Sequence, residues 1–343
     1  MTENAVGLRS ERGPILLAVM VATGVVAIDA TILSTAVPAI VSDVGGFAQF
    51  PWLFSVYVLT QSVTVPVYSK LADQIGRKRV ILFGLAVFLA ASVLCAFAWD
   101  MPSLIAFRAL QGIGAGAILP ITITIVGDIY TVEERARVQG YVASVWAIAS
   151  VAGPTLGGLF AMWDVWRGIF LLNIPLCGIA IWLLARGYHE TLTRQRHRID
   201  YAGAALLTAS LTLLLVGVLE GGDGWAWASV PSFAVFGAGI LLLVAFVLVE
   251  RRAAEPVLPL WVVSRPLLRS TNLVGITVGA ALIGLTAFVP TYLVVGLGVS
   301  ELVGGLALAT LTIGWPIAAA LSGRLYLRIG FRSTALIGAA LVL

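Results

Sequence analysis

Ser69-Lys-Leu-Ala-Asp-Gln-Ile-Gly-Arg-Lys-Arg79 is a dense charged turn in a chain that carries almost no charge elsewhere. Long apolar segments flank it on both sides. A second version stands at Gly323-Arg-Leu-Tyr-Leu-Arg-Ile-Gly-Phe-Arg-Ser333. Leu71 aligns with Leu325, Gly76 with Gly330 and Lys78 with Arg332. A turn repeated between apolar segments reads as two related membrane halves.

Composition makes lipid the solvent. Of 343 residues, 60% are hydrophobic and only 11% charged, where a soluble domain has about 25%. The mean hydropathy is +1.02. The net charge is +4, but the basic residues sit in short turns, so nucleic acid is not an expected partner. Cys95 and Cys177 both fall inside apolar segments, where a thiol serves as a small hydrophobe and no disulfide is expected. The start, Met1–Arg12, is polar and shows no cleavable signal pattern.

At about 20 residues per span, the spans read 14–36, 50–69, 80–99, 103–127, 138–161, 168–185, 201–219, 230–249, 271–294 and 302–323. An eleventh begins near residue 333. The eleven residues from there to Leu343 rise about 16 Å, half a bilayer, so the chain is expected to be a fragment of a longer protein.

Every Lys and Arg except Arg108 and Arg167 then falls on one side of the membrane. That side is expected to be the cytoplasm, which places the N-terminus inside. Asp43, Asp100, Asp164, Glu220, Asp223 and Glu301 fall on the other.

Eight spans separate the two charged turns, where a six-plus-six arrangement would show six. Two extra spans, the seventh and eighth, are therefore expected between the halves. The expected divisions are 1–186 for a six-helix half, 187–255 for a cytoplasmic linker with two inserted helices, and 256–343 for the start of the second half. The complete protein would have six, two and six spans. Arg186–Asp200, the longest inner connection, reads as an interfacial helix, and its His189 and His197 as solvated loop residues rather than metal ligands.

Asp29, in Val-Val-Ala-Ile-Asp-Ala-Thr-Ile, lies deep in span 1. A carboxylate there costs about 2.5–3.5 kcal/mol on insertion scales, so it faces the bundle interior or a water-filled cavity. Either it bonds to local hydroxyls such as Thr31 or Ser34, or it takes a proton or cation. Arg108 is the other deep charge. It lies about 5 residues, roughly 8 Å, below the outer surface. Asp29 lies about 15 residues, roughly 22 Å, above the inner one, in a core of about 30 Å. The two are expected to share one polar cluster in the outer half, in which Arg108 tunes the acidity of Asp29. The alternative for Arg108 is a snorkelling side chain.

Gln111-Gly-Ile-Gly-Ala-Gly-Ala117 follows no strand, so it reads as close helix packing through Gly112 and Gly116. In span 5, Pro154 removes a backbone donor, and Gly153, Gly157 and Gly158 admit a neighbouring helix. That stretch is either a packing kink or a pivot. In the charged turn, Gly76 supplies the bend and Asp73 is expected to cap the next helix. An Asp73–Arg77–Asp128 bridge would lock an inner gate; the alternative is a topology signal alone.

Together these residues resemble the major facilitator superfamily, in particular its fourteen-span drug:proton antiporter family. Ser69–Arg79 is similar to the loop motif Gly-x-Leu-Ala-Asp-x-x-Gly-Arg-Lys, with Ser69 for the first Gly. Arg108, Gln111 and Gly112 match the span-4 motif. Gly153-Pro154-x-x-Gly157-Gly158 looks like the exporter motif of span 5, with Ala149 where an upstream Gly is common. Ile28-Asp29-Ala-Thr31-Ile through Pro38 resembles the span-1 motif, with Ser34 where Asn is usual. Trp166-Arg167-x-Ile-Phe through Asn173-x-Pro175 also resembles this branch.

The resemblance implies an all-α membrane fold of two pseudo-symmetric six-helix halves with two helices between them. It implies roles too: Asp29 takes the proton with help from Arg108; Asp73, Arg77 and Asp128 form the inner-gate relay; Gly153 and Pro154 belong to the hinge. The expected function is export of hydrophobic, cationic drugs in exchange for protons across the plasma membrane by a monomer. Its partners are the small-molecule substrate, protons and the bilayer. The alternative is export of a particular metabolite or peptide. A metal-binding His pair, a nucleophile elbow and a phosphate loop are all missing from the sequence, so no enzyme activity, cofactor or metal site is expected.

Overall fold

The computed structural model describes residues 7–190, 200–222, 224–259 and 261–342. Arg194, Arg196, His197, Arg198 and Asp223, and with them the expected interfacial helix after Glu190, lie outside the described residues.

The helices are α1 (Gly13–Val44), α2 (Pro51–Ile75), α3 (Arg77–Ala96), α4 (Met101–Ile129) and α5 (Val132–Met162). After them come α6 (Gly168–Leu171 continuing as Asn173–Gly187), α7 (Tyr201–Glu220), α8 (Val230–Glu250), α9 (Pro266–Thr291) and α10 (Glu301–Val342). Among the described residues, nine helices are long and apolar enough to cross a membrane by the 18-residue hydropathy test. In α10 the apolar stretch Glu301–Gly314 is shorter than that. Several helices outrun the expected spans, because a helix continues past the hydrocarbon until something caps it. Asp100 and Thr131 form capping boxes at the starts of α4 and α5.

The two charged turns share one backbone conformation. Gly76 has φ 105° and ψ 144°, and Gly330, inside α10, has φ 81° and ψ 160°. Only glycine adopts this region without strain. Gly330 therefore breaks α10 where the tenth expected span gives way to the eleventh.

Packing is set by small residues. A Cβ on Gly112 would lie 2.4 Å from Tyr57 O and 2.1 Å from Thr60 Oγ1, and one on Gly116 2.0 Å from Thr64 Oγ1. So α4 lies against α2. On the other side of α4, Gly84 and Gly114 bring in α3. α1 meets α5 through Gly153 and Gly157, whose Cβ positions fall on Thr31 and Thr35. The buried apolar residues form one cluster around Leu16, Ile81 and Ile118, towards the charged turn, and a second around Leu33, Leu53 and Leu104.

α7 and α8 pack on each other, and α7 leans on α2. Ser210 Oγ donates to Gly239 O at 2.9 Å between them. Trp52 Nε1 donates to Glu220 Oε1 at 3.0 Å and ties the outer end of α7 to α2. The rest of this pair is largely exposed, as suits helices facing lipid.

α5 and α10 meet closely. A Cβ on Gly158 would lie 2.8 Å from Glu301 O, and one on Gly305 2.4 Å from Pro154 O. Pro154 has no N–H, so the carbonyl of Ser150 loses its helical donor. Thr312 Oγ1 of α10 donates to Ser150 O at 2.9 Å.

Gly112→Val forces a methyl onto the Tyr57 carbonyl, where no rotamer change relieves it. Overpacking of this kind costs about 1–3 kcal/mol. The expected result is a lower Tm in detergent, whereas Gly275→Val, where a Cβ meets nothing within 4 Å, leaves Tm near the parent value.

Candidate functional site

Between the two apolar clusters lies a buried polar one, to which five helices contribute. Asp29 of α1 and Arg108 of α4 are 2% and 1% exposed. Arg108 Nη1 donates to Asp29 Oδ2 at 2.8 Å and to Gln111 Oε1 at 2.6 Å. Gln111 Nε2 donates to Asp29 Oδ1 at 2.9 Å and to Ser92 Oγ of α3 at 2.7 Å. Asn173 Nδ2 of α6 reaches Asp29 Oδ1 at 3.3 Å and Ser92 Oγ at 3.0 Å. Arg108 Nε donates to Leu53 O of α2 at 3.2 Å, and the guanidinium lies 4.2 Å from the Tyr57 ring centroid.

Three donors therefore hold one carboxylate, and its guanidinium partner spreads its charge over an aromatic face. Thr31 and Ser34 are not its partners: they donate to backbone carbonyls. Nor does Arg108 snorkel, since it is fully buried.

A cavity of about 500 Å³ opens beside this cluster. Phe54, Tyr57, Trp146, Gln61 and Thr286 are among its wall residues. Arg108 lines it, whereas Asp29 stands behind Arg108 and does not. The Tyr57 hydroxyl is buried with no hydrogen-bond partner, which leaves a donor for a bound molecule. A second cavity of about 360 Å³ lies nearer the charged turn, and Leu119 and Trp146 line both.

The charged turn forms a separate cluster at the end of the bundle where α2 gives way to α3. Arg77 pairs with Asp73 at 3.3 Å, Asp128 at 3.3 Å and Glu190 at 3.6 Å. Asp73 does not cap α3. Glu190, after α6, accepts from the Arg77 and Lys78 amides at 2.9 and 3.2 Å. A longer reach across from α6 thus meets the positive end of α3, while Asp73 closes the last turn of α2 and points at the side chain of Arg77. Lys78 Nζ adds bonds to Ala185 O and Tyr188 O, each at 2.7 Å.

Arg167, at the opposite end of the bundle from the charged turn, pairs with Asp43 at 2.5 Å, donates to Ala98 O at 3.1 Å and stacks over Trp166. Cys95 and Cys177 are free and buried. Among the described residues no cluster of His, Cys, Asp and Glu could hold a metal.

The sequence reading gave no contact role to Glu190, Ser92 or Tyr57. Gln111 and Asn173 stood in quoted motifs without one. In Glu190→Ala, the Arg77 and Lys78 amides lose their acceptor. Their hydrogen exchange is expected to accelerate at least tenfold, whereas Asp73→Ala leaves those two amides unchanged.

Residues 19–343 match the profile described as Major Facilitator Superfamily. The chain is 34% identical over 332 residues to Multidrug transporter protein MdtP of Bacillus subtilis (strain 168), covering 97% of this chain and 61% of that protein. It is 35% identical over 311 residues to Multidrug resistance protein 3 of the same organism, covering 91% and 61%. It is 34% identical over 254 residues to Efflux pump FUS6 of Gibberella moniliformis (strain M3125 / FGSC 7600), covering 72% and 45%. The chain thus spans about three fifths of the length of the first two relatives. The glycine-bent charged turns, the buried pair on α1 and α4, the proline joint of α5 and the matched profile agree: this chain belongs to the Major Facilitator Superfamily.

Proposed function

We propose that this chain is part of a secondary transporter that exports hydrophobic, cationic compounds in exchange for protons. It would do so across the plasma membrane, with the N-terminus and the charged turns on the cytoplasmic side. Residues 1–186 act as one six-helix half, 187–255 as the inserted linker and helix pair, and 256–343 as the start of the second half. The relatives named as multidrug transporters support the substrate class.

One observation carries the coupling mechanism: the charge on the cavity wall is the guanidinium of Arg108, and its counter-ion is the carboxylate behind it. With Asp29 ionised, the pair is neutral and the apolar, aromatic wall accepts a lipophilic cation. With Asp29 protonated, the ion pair is lost and Arg108 stands unshielded beside the cavity. Two like charges about 4 Å apart at an effective dielectric near 20 repel by about 4 kcal/mol, close to a thousandfold in affinity. Proton and cation thereby exclude each other without touching the same atom. That mutual exclusion is what exchange requires.

The bonds from Arg108, Gln111 and Asn173 enclose the Asp29 carboxylate, and a proton that reaches it takes the place of one of them. Arg77, Asp73, Asp128 and Glu190 hold the inner ends of α2, α3, α4 and α6 together and serve as the inner gate. Gly153 and Pro154, with Gly157 and Gly158, form the joint on which α5 moves against α10.

Asp29→Asn keeps the size of the side chain and removes the titration. In inverted vesicles, proton release driven by a lipophilic cation is expected to fall at least tenfold, and exchange of labelled for unlabelled cation to fall with it, because the neutral amide leaves Arg108 as unshielded as a protonated carboxyl does. Full proton coupling in Asp29→Asn would overturn the assignment.

Arg108→Lys keeps the charge but loses the planar fork that serves Asp29, Gln111 and Leu53 together. Uptake driven by a pH gradient is expected to drop at least tenfold. Unchanged uptake would leave Arg108 a merely structural residue.

A further inference from the structure

At the inner end a second polar cluster sits where α7 begins, α8 ends and α2 passes. Asp200 caps α7, its Oδ1 accepting from the Gly203 amide at 2.8 Å. Its Oδ2 is buried and has no hydrogen-bond partner. Glu250, the last residue of α8, is 3% exposed. Its Oε1 accepts from the amides of Val257 and Leu258 at 3.0 and 3.4 Å. Its Oε2 is also buried without a hydrogen-bond partner.

Both side chains crowd one spot. A Cβ on Gly203 would lie 2.4 Å from Asp200 Oδ2 and 2.9 Å from Glu250 Oε1. Glycine at 203 is what lets the two carboxyl groups approach. Asp200 and Lys70 are the charges that act on Glu250 through space. Lys70 Nζ is already bonded to the carbonyl of Glu255 and lies 3.8 Å from its carboxylate. Arg251 and Arg252 follow in the chain, and both are exposed.

Two carboxylates beside one glycine, Glu250 buried and Asp200 partly exposed, do not both carry full charge cheaply, and an orphaned buried oxygen bears its whole desolvation cost. One added proton removes a charge and supplies a donor to one of the two orphaned oxygens. Nothing in the exchange mechanism at Asp29 uses this pair.

We infer that Asp200 and Glu250 hold one proton between them, forming a second protonation site that keeps the start of α7 closed against the end of α8. Its loss on the alkaline side leaves two like charges facing each other, and the two helix ends part. The strain passes along Val257 and Leu258 to Glu255, and from there to Lys70 in the charged turn. The α7–α8 pair thus reports cytoplasmic pH to the inner gate.

The test uses the intact transporter in lipid vesicles, with pH as the only variable. Infrared difference spectra are expected to show a protonated-carboxyl carbonyl band that disappears as pH rises. The band persists in Asp29→Asn and is lost in both Glu250→Gln and Asp200→Asn. Asparagine still caps α7, so Asp200→Asn keeps the helix start. Spin labels at positions 201 and 252 are expected to move apart with rising pH in the parent and to stay at one distance in Glu250→Gln. A band that survives in both Glu250→Gln and Asp200→Asn overturns the proposal, as does a label distance in the parent that ignores pH.

Discussion

A charge stranded in hydrocarbon has to be answered by the chain itself, and the pair formed by Asp29 and Arg108 is that answer. Its 2.8 Å contact exists only because α1 and α4 present the two groups at one depth. It is made tolerable by Gln111, Asn173, Ser92 and the Leu53 carbonyl, which satisfy most of the remaining donors and acceptors. Six further hydrogen bonds, involving Leu53, Ser92, Gln111 and Asn173, fix the mutual rotation of α1, α2, α3, α4 and α6. A buried ion pair is weak evidence for stability, because its desolvation offsets much of its attraction. Removing one partner is costly all the same. The pair therefore fixes how the helices face one another more than how tightly they hold.

The glycines explain how the pair comes together. Gly112 and Gly116 let α4 lie on α2, so that Arg108 reaches both the Leu53 carbonyl and the Tyr57 ring. Gly153 and Gly157 let α1 lie on α5, with Thr31 Oγ1 donating to Ala149 O at 3.0 Å and Thr35 Oγ1 to Pro154 O at 3.2 Å. In lipid there is no hydrophobic force between helices, so close approach and such hydroxyl bonds have to supply the association.

Much of this was legible in the sequence. The two charged turns gave the repeat, and Gly76 and Gly330 share the bend that the repeat implies. Counting spans between them singled out α7 and α8, which pack on each other and on α2. Helix rise alone put Asp29 and Arg108 at similar depth, because depth depends only on residue number along a helix. What rise cannot supply is rotation about the helix axis or contact between distant segments. Asn173 could be quoted as part of a pattern, yet nothing in the sequence turns its amide towards Asp29. Glu190 lies 113 residues from the Arg77 amide it binds, and no local signal connects them. Asp73 was the nearer acid and so the obvious cap. The structure gives that role to Glu190 because α6 ends beside the start of α3.

The proline of α5 has one more consequence. The Ser150 carbonyl that Pro154 leaves without a donor takes its hydrogen bond from Thr312 on α10, and both residues lie on the cavity wall. A carbonyl in a dry interior cannot be abandoned, so α10 cannot slide along α5 until some other donor replaces the threonine hydroxyl. The threonine hydroxyl thus latches α10 to α5 at the point where the proline has opened the hydrogen-bond ladder of α5.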